Sequence, residues 1–170
     1  SHVFFLSRLP SPKIIMQALA EVKPTLVIAV PLIIEKIYKS KVKPVLEKAG
    51  IRFVMKLPGL EQVVMNKIKT ELINAFGGEF IEVIIGGAAF NKEVESFFKK
   101  MEFPFTVGYG MTECAPIITY DGHKTAKLYS CGRIVPNMEM KIDSPDPQNI
   151  PGELLVRGAN VFLGYYKNEE

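Results

Sequence analysis

Cysteine is scarce in this sequence of 170 residues, and that scarcity excludes two kinds of protein. The two cysteines, Cys114 and Cys131, are too few for a disulfide framework, and neither has the spacing of metal ligands. There is no signal-peptide pattern, and the longest apolar run, residues 26–34, is interrupted by Pro31 and is far shorter than the ~20 residues of a membrane span. We therefore expect a reducing, cytoplasmic setting.

Positive charge is in small excess over negative charge. The net charge is +3, and the lysines are spread along the chain without forming a basic run, which argues against a nucleic-acid partner. One stretch has a basic face, which we interpret as a solvated helix face, with weak attraction to an anionic membrane surface as the alternative. Its members are Lys36, Lys39, Lys41, Lys43 and Lys48.

Residues 1–120 alternate between strand-like and helix-like patterns. Strands are predicted at residues 3–6, 25–30, 80–85 and 103–107, and the β-branched run 25–30 is typical of a strand buried on both faces. Helices are predicted after Ser11, from Pro31 towards Lys48, at residues 61–76 and at residues 91–101. Pro44 is a candidate break and Gly50 a candidate stop of the second helix, and residues 52–58 fit either a short strand or a linker.

This alternation predicts an α/β fold with a parallel, doubly wound sheet and flanking helices over residues 1–120. Residues 121–170 have a polar loop, an alternating segment at 138–142, a turn-rich connection at 143–147 and a strand at 153–156, which predict a small, mostly antiparallel β region. The chain begins at Ser1 without an initiator Met and stops soon after a GYYKN segment. We expect a fragment whose exposed sheet edge and apolar surface cause self-association.

The segment after the fourth predicted strand concentrates functional groups: Val107-Gly108-Tyr109-Gly110-Met111-Thr112-Glu113. Its glycines let the backbone approach a ligand, and the ring of Tyr109 offers a face on which a base can stack. Thr112 supplies a hydroxyl, and Glu113 beside a phosphate would require a cation between them, which suggests Mg²⁺. A glycine turn with a solvated glutamate is the structural alternative.

A second segment, Gly86-Gly87-Ala88, follows the third predicted strand. Ligands of open parallel sheets bind beyond the carboxyl ends of strands, so both segments lie at the predicted binding edge. A tight strand-to-helix turn is the alternative for Gly87 and Ala88. Cys114 is interpreted as a buried small residue because no histidine is placed to activate it, and His123 as an exposed loop residue.

The YGMTE sequence resembles the YGxTE signature of the adenylate-forming enzymes, which include acyl-CoA synthetases, luciferase-like enzymes and peptide-synthetase adenylation domains. Three more segments resemble that family in the family's order. They are residues 84–89 (its GGA segment), 131–137 (VGxPxPG) and 152–168 (GEL…RG…GYxxN). The resemblance covers essentially the whole chain.

In detail the chain is most similar to long-chain fatty-acid CoA ligases, through residues 8–12, 23–25 and 30–38. It departs from their PRxWEK pattern, because Leu32 and Ile34 stand where those ligases carry Arg and Trp. That Trp is associated with gating of the fatty-acid tunnel. The departure leaves acyl-chain length open.

The resemblance implies part of the N-terminal domain of an enzyme that uses ATP and Mg²⁺ to activate a fatty acid as acyl-AMP and then transfers the acyl group to CoA. It implies catalytic roles for Thr112, which would bind the α-phosphate, and for Glu113, which would bind Mg²⁺. Tyr109 would stack on adenine. The implied nucleotide-binding set is Gly86, Gly87, Ala88, Gly108, Tyr109, Gly110, Met111 and Thr112.

Three parts that this chemistry needs are not found in the sequence: a phosphate loop ending in Lys, an Asp for the ribose, and a C-terminal domain with a catalytic Lys. The chain alone is therefore expected to be inactive. The alternatives are an adenylate-forming enzyme for an aryl or amino acid, an AMP-sensing module without activity, and a dinucleotide-binding reductase domain. The reductase alternative is weakened because Glu113 occupies the position of the third glycine of G-x-G-x-x-G, where its charge would face the pyrophosphate.

Overall fold

The computed structural model describes residues 2–5, 11–57 and 59–168. The chain divides into two units, Ser1–Phe105 and Thr106–Glu170. The domain division that the sequence suggests between residues 120 and 121 stays a prediction.

The first unit alternates helices and strands around a parallel pair. Strand β1 (Leu26–Ala29) pairs in parallel with β2 (Glu82–Ile85), and the sheet order is β1-β2-β3, where β3 (Phe105–Val107) starts at the last residue of this unit. The helices are α1 (Pro12–Val22), α2 (Pro31–Ile37), α3 (Lys43–Leu46), α4 (Ala49–Val54), α5 (Leu60–Ala75) and α6 (Lys92–Lys100). The predicted mixed α/β class with a parallel sheet is confirmed.

An aromatic core fixes the central strand of this sheet. Val83 and Ile85 of β2 are fully buried. The ring of Phe98 on α6 lies 4.9 Å from that of Phe103 and 5.7 Å from that of Phe105, measured between centroids. Helix α6 begins as predicted, because the side-chain oxygen of Asn91 accepts hydrogen bonds from the first-turn amides. These contacts pack α6 against Phe103 and the start of β3, beside the buried strand β2.

Two strand predictions are wrong. Strand β1 is not buried on both faces: Leu26 is 51% exposed and Ile28 is 77% exposed, because alternate side chains share one face of a strand and that face of β1 is open. Residues 3–5 are exposed and form no strand, because no described strand pairs with them. Leu6, at the end of that predicted strand, is outside the described residues.

The second predicted helix is also corrected. After α2 the chain widens into a π-helical segment, Tyr38–Val42, and then continues as α3. Pro44, in the first turn of α3, has no N–H to donate, so the widened turn accommodates it. Gly50 does not end a helix but lies in the first turn of α4. That helix also replaces the strand or linker expected at residues 52–54.

The second unit is built from short antiparallel strands, as predicted. Strand β4 (Tyr109–Gly110) pairs with β5 (Ile117–Tyr120), which pairs with β6 (Arg133–Ile134). Strands β7 (Met138–Asp143) and β8 (Glu153–Gly158) form a separate hairpin. The polar segment 121–130 contains no strand and is a loop.

Across the described ranges, none of the helices combines the length and apolar character needed to cross a membrane.

Candidate functional site

The YGMTE sequence forms a tight hairpin whose tip is a short 3₁₀ helix, Thr112–Cys114. Strand β4 enters this tip and β5 leaves it, and the amide of Met111 donates to the carbonyl oxygen of Pro116 at 2.8 Å. Ala115 has a φ of 52°, in the left-handed region, so the chain reverses there. Thr112 and Glu113 are therefore adjacent side chains on the tip of a hydrogen-bonded turn.

The side chain of Cys114 packs the turn against the core of the second unit. This side chain is 1% exposed and belongs to a small core with Ile118 and Met138. The cysteine is thus a buried small residue, as interpreted from the sequence. Because Cys114 points into the core, its neighbour Glu113 is held near the surface of the unit, where it is partly exposed.

The chain segment Asn160–Tyr165 contacts the turn at three points, and we refer to it as the strap. The amide of Phe162 donates to the carbonyl oxygen of Glu113 at 2.8 Å. The side-chain amide of Asn160 donates to the carbonyl oxygen of Cys114 at 2.5 Å. The hydroxyl of Tyr165 donates to Oε1 of Glu113. The motif glutamate is therefore held through both its backbone and its side chain.

The Tyr165 contact changes the acidity of both partners. Its hydrogen bond lowers the pKa of Glu113, and a backbone hydrogen bond adds to the shift, because both favour the charged carboxylate. The same contact raises the pKa of Tyr165, with smaller contributions from desolvation and from the charge of Glu113. The pair thus holds an ionised carboxylate beside a neutral phenol.

The other residues of the predicted nucleotide set are placed as follows. In the first unit, Gly86 follows β2 and donates its amide to the carbonyl oxygen of Ala29 at 3.1 Å, while Gly87 and Ala88 are exposed and Gly87 has a φ of 87°. In the second unit, Tyr109 and Met111 are each 41% exposed. The binding roles of the whole predicted set stay predictions.

Gly110 and the residues after it do not form a dinucleotide fingerprint. That motif requires a helix directly after the glycines, so that its N-terminus faces the pyrophosphate. Here the glycines lead into a 3₁₀ turn and then into β5. The local backbone therefore disfavours the reductase alternative.

Glu113 is the residue of this turn that fits a cation. Mg²⁺ takes oxygen ligands and commonly uses one or two carboxylates, with phosphate oxygens and water completing its shell. Within residues 2–5, 11–57 and 59–168, no group of three or more His, Cys, Asp or Glu side chains could hold a metal ion. The carboxylate of Glu113 is thus the group of this turn that would hold a magnesium ion.

Comparison with protein families gives one assignment for nearly the entire chain. Residues 1–166 match the model of the AMP-binding enzymes. Long chain acyl-CoA synthetase 4 from Arabidopsis thaliana is 28% identical over 93% of this chain and 28% of that protein. 4-coumarate-CoA ligase 1 from Narcissus pseudonarcissus is 31% identical over 66% of this chain and 23% of its own length. The chain thus spans less than a third of the length of these relatives.

Solved structures share this fold. A long-chain-fatty-acid-CoA ligase (FadD1) from Archaeoglobus fulgidus superposes with a TM-score of 0.62 at 18% identity, over 95% of this chain and 30% of that one. O-succinylbenzoate coenzyme A synthetase (MenE) from Bacillus subtilis, in complex with ATP and magnesium ion, gives a TM-score of 0.60 at 19% identity, over 94% of this chain and 28% of that one. At this level of identity the likeness establishes the fold alone.

The sequence interpretation missed the strap. Asn160, Phe162 and Tyr165 are 46 to 52 positions from the residues they contact, and no periodicity links the two segments. The available signal was the GYYKN sequence, which was noted as a resemblance and given no role.

Proposed function

The chain belongs to the family of AMP-binding enzymes, and from this premise we propose that the full-length protein carrying it is an acid–thiol ligase. In the first step the carboxylate of the acid attacks the α-phosphorus of ATP and releases pyrophosphate, which leaves an acyl-adenylate. In the second step the thiol of CoA attacks the acyl carbon and releases AMP. The preferred acid is a long-chain fatty acid.

The observation that carries this proposal is the hydrogen-bonded turn on which Thr112 and Glu113 lie next to each other. Transfer reactions at phosphorus depend on positioning and on groups that stabilise developing charge. The hydroxyl of Thr112 would donate to an oxygen of the α-phosphate, and the carboxylate of Glu113 would hold the magnesium ion of the nucleotide. When bound, that ion supplies neutralisation of the phosphate charge.

Tyr109, which lies just before the turn, is proposed to contact the adenine. The ring of Tyr109 is exposed enough to stack on a purine. Gly87 and Ala88, which follow β2 in the first unit, are exposed and small, as residues that contact a base must be. Gly86, Gly108 and Met111 are proposed as backbone and packing contacts of the nucleotide, and Gly110 contributes by allowing the turn to close on Pro116.

Two observations support a long-chain fatty acid as the substrate. The long chain acyl-CoA synthetases of Arabidopsis thaliana match 93% of this chain, whereas the 4-coumarate ligases match a smaller part of it. In addition, residues 8–12 and 30–38 resemble the long-chain ligases in detail.

An aryl acid is the second candidate. The 4-coumarate ligases are the more identical relatives, at 31%. The structure adds that Ile34, at the position where the long-chain ligases carry Trp, is 1% exposed and part of the core. The Ile34 side chain therefore packs the first unit, and the chain lacks the Trp of the long-chain pattern at this position.

The test is acid-dependent exchange of pyrophosphate into ATP by the full-length protein, with palmitate, 4-coumarate and an amino acid compared at equal concentration. We expect exchange with palmitate to be at least 10-fold faster than with the others, about 1.4 kcal/mol in the barrier. Faster exchange with 4-coumarate would replace the fatty acid by the aryl acid. AMP binding without exchange for any acid would refute the ligase and indicate a sensing module.

We also propose that the protein is cytoplasmic, with peripheral contact to membranes. The support is the scarcity of cysteine and the exposed lysines of residues 36–48. Fractionation of cells into soluble and membrane pools, with and without a high-salt wash, tests both parts. Recovery in a secreted fraction would contradict the proposal.

A further inference from the structure

The strap holds the backbone of the motif glutamate from outside its own hairpin. Phe162 donates its amide to the Glu113 carbonyl oxygen, and Asn160 donates its side-chain amide to the Cys114 carbonyl oxygen. These two consecutive carbonyl groups belong to a 3₁₀ helix of three residues, which cannot satisfy them by itself. The strap therefore fixes the orientation of the peptide that carries Glu113.

The side chain of Glu113 is oriented by Tyr165. The tyrosine hydroxyl donates to Oε1, and a backbone hydrogen bond also stabilises the charged carboxylate. The ring of Tyr165 is itself held by an edge contact with Phe162, at 4.8 Å between centroids and 80° between planes. Oε1 of the carboxylate thus has a donor whose own position is supported by a neighbouring ring.

We propose that Tyr165 is a positioning residue, which holds one oxygen of Glu113 so that the other is preorganised for the magnesium ion of the bound nucleotide. The inference rests on the proposed function and extends it to the strap. A metal ligand is held in its productive geometry by second partners of the same side chain, and loss of such a partner weakens metal affinity. A carboxylate has lone pairs for both partners at once, so the tyrosine and the ion do not compete.

The test compares Tyr165→Phe with Tyr166→Phe in the full-length protein. Tyr166 is the adjacent tyrosine, is 89% exposed, and has its ring near the ammonium of Lys167, so its hydroxyl is a matched control. In Y165F we expect the Mg²⁺ concentration for half-maximal pyrophosphate exchange to rise about 10-fold or more, as for loss of an outer partner of a metal ligand. The KM for the acid should not change, and Y166F should match the unmodified protein.

The double variant Y165F/E113Q shows whether the tyrosine acts through the glutamate. If it does, adding Y165F to E113Q leaves the Mg²⁺ dependence of E113Q unchanged. A purely structural role for Tyr165 would instead lower the melting temperature and the maximal rate in both backgrounds, without moving the Mg²⁺ requirement. That result would overturn the inference.

Hydrogen exchange of the protein without metal or nucleotide gives a readout that is independent of activity. We expect peptides covering residues 109–115 and 158–164 to exchange faster in Y165F than in Y166F, because the strap loses one of its three contacts. Equal exchange in the two variants would overturn the inference. Absence of pyrophosphate exchange in the unmodified protein would refute the proposed function, whereas normal exchange with an unchanged Mg²⁺ requirement in Y165F would refute the tyrosine's role alone.

Discussion

Gly110 lies against the backbone of Pro116, so closely that a β-carbon at position 110 would be 2.0 Å from the Pro116 carbonyl oxygen. The same carbonyl oxygen accepts the amide of Met111 and so takes part in closing the turn. The glycine that the sequence suggested as a place for a ligand to approach is thus a place where the chain approaches itself.

Replacing this glycine should open the turn. In Gly110→Ala the clash is with backbone, which cannot rotate away, so we expect a loss of about 1–3 kcal/mol in the free energy of unfolding. Gly50→Ala is the control, because Gly50 lies in α4 with nothing within 4 Å of an added β-carbon. That variant should be neutral or more stable by up to ~1 kcal/mol. Urea unfolding of both variants measures the difference, and equal stability would contradict the turn geometry.

Neutralising the motif carboxylate should slow adenylation. We expect Glu113→Gln in the full-length protein to lower pyrophosphate exchange by roughly 10²-fold, because a charge-stabilising group is lost while its shape is kept. Glu139→Gln is the control, since Glu139 is an exposed carboxylate of β7 that pairs with Arg157. An unchanged rate in E113Q would remove Glu113 from the site.

The ion pair of Asp121 with Arg133 should contribute more to stability than the ion pair of Glu139 with Arg157. Asp121 is buried, with its side chain 11% exposed, and its carboxylate accepts from Nε and from a terminal nitrogen of Arg133, both at 2.8 Å. Arg133→Met leaves that carboxylate without its cation, and we expect a loss of about 1–3 kcal/mol in the free energy of unfolding.

Arg157→Met provides the comparison. Arg157 and Glu139 are both largely exposed, and exposed pairs contribute about 0–1 kcal/mol. Urea unfolding of the two variants should separate them. A loss in R157M as large as that in R133M would show that burial of the acid does not decide the effect.

The edge strand should promote association of the isolated 170-residue chain. Leu26 and Ile28 of β1 expose apolar surface at the edge of the described sheet, and such edges pair with other chains. We expect Ile28→Lys to shift the chain towards monomer in sedimentation velocity. Ile150→Lys, at a half-exposed position outside the strands, should not. A monomeric unmodified chain at high concentration would refute the expectation.

The alternation of apolar residues was sufficient to predict the central strand, most helices and the antiparallel second half. It succeeded where local pattern and tertiary burial agree, as at β2, α5 and α6. It failed at β1 and at residues 3–5, because an apolar run shows that a segment tends to form a strand but not how many neighbours that strand has. Composition carries no information about sheet edges.

The candidate site was predicted only in part for a related reason. The proximity of Thr112 to Glu113 follows from their adjacency, and burial of Cys114 follows from the lack of an activating base. The strap could not be predicted, because Asn160 and Tyr165 reach the turn through tertiary packing and leave no pattern in the intervening residues. Contacts between a motif and residues far away in the sequence are found only from the structure.

Because of the three strap contacts, the turn and the strap should be exchanged together when related sequences are recombined. A chimaera that takes YGMTE from one relative and the GYYKN stretch from another would join partners never selected together. A crossover placed between residues 115 and 159 divides them, whereas exchange of residues 109–165 as one block transfers the turn with its own support.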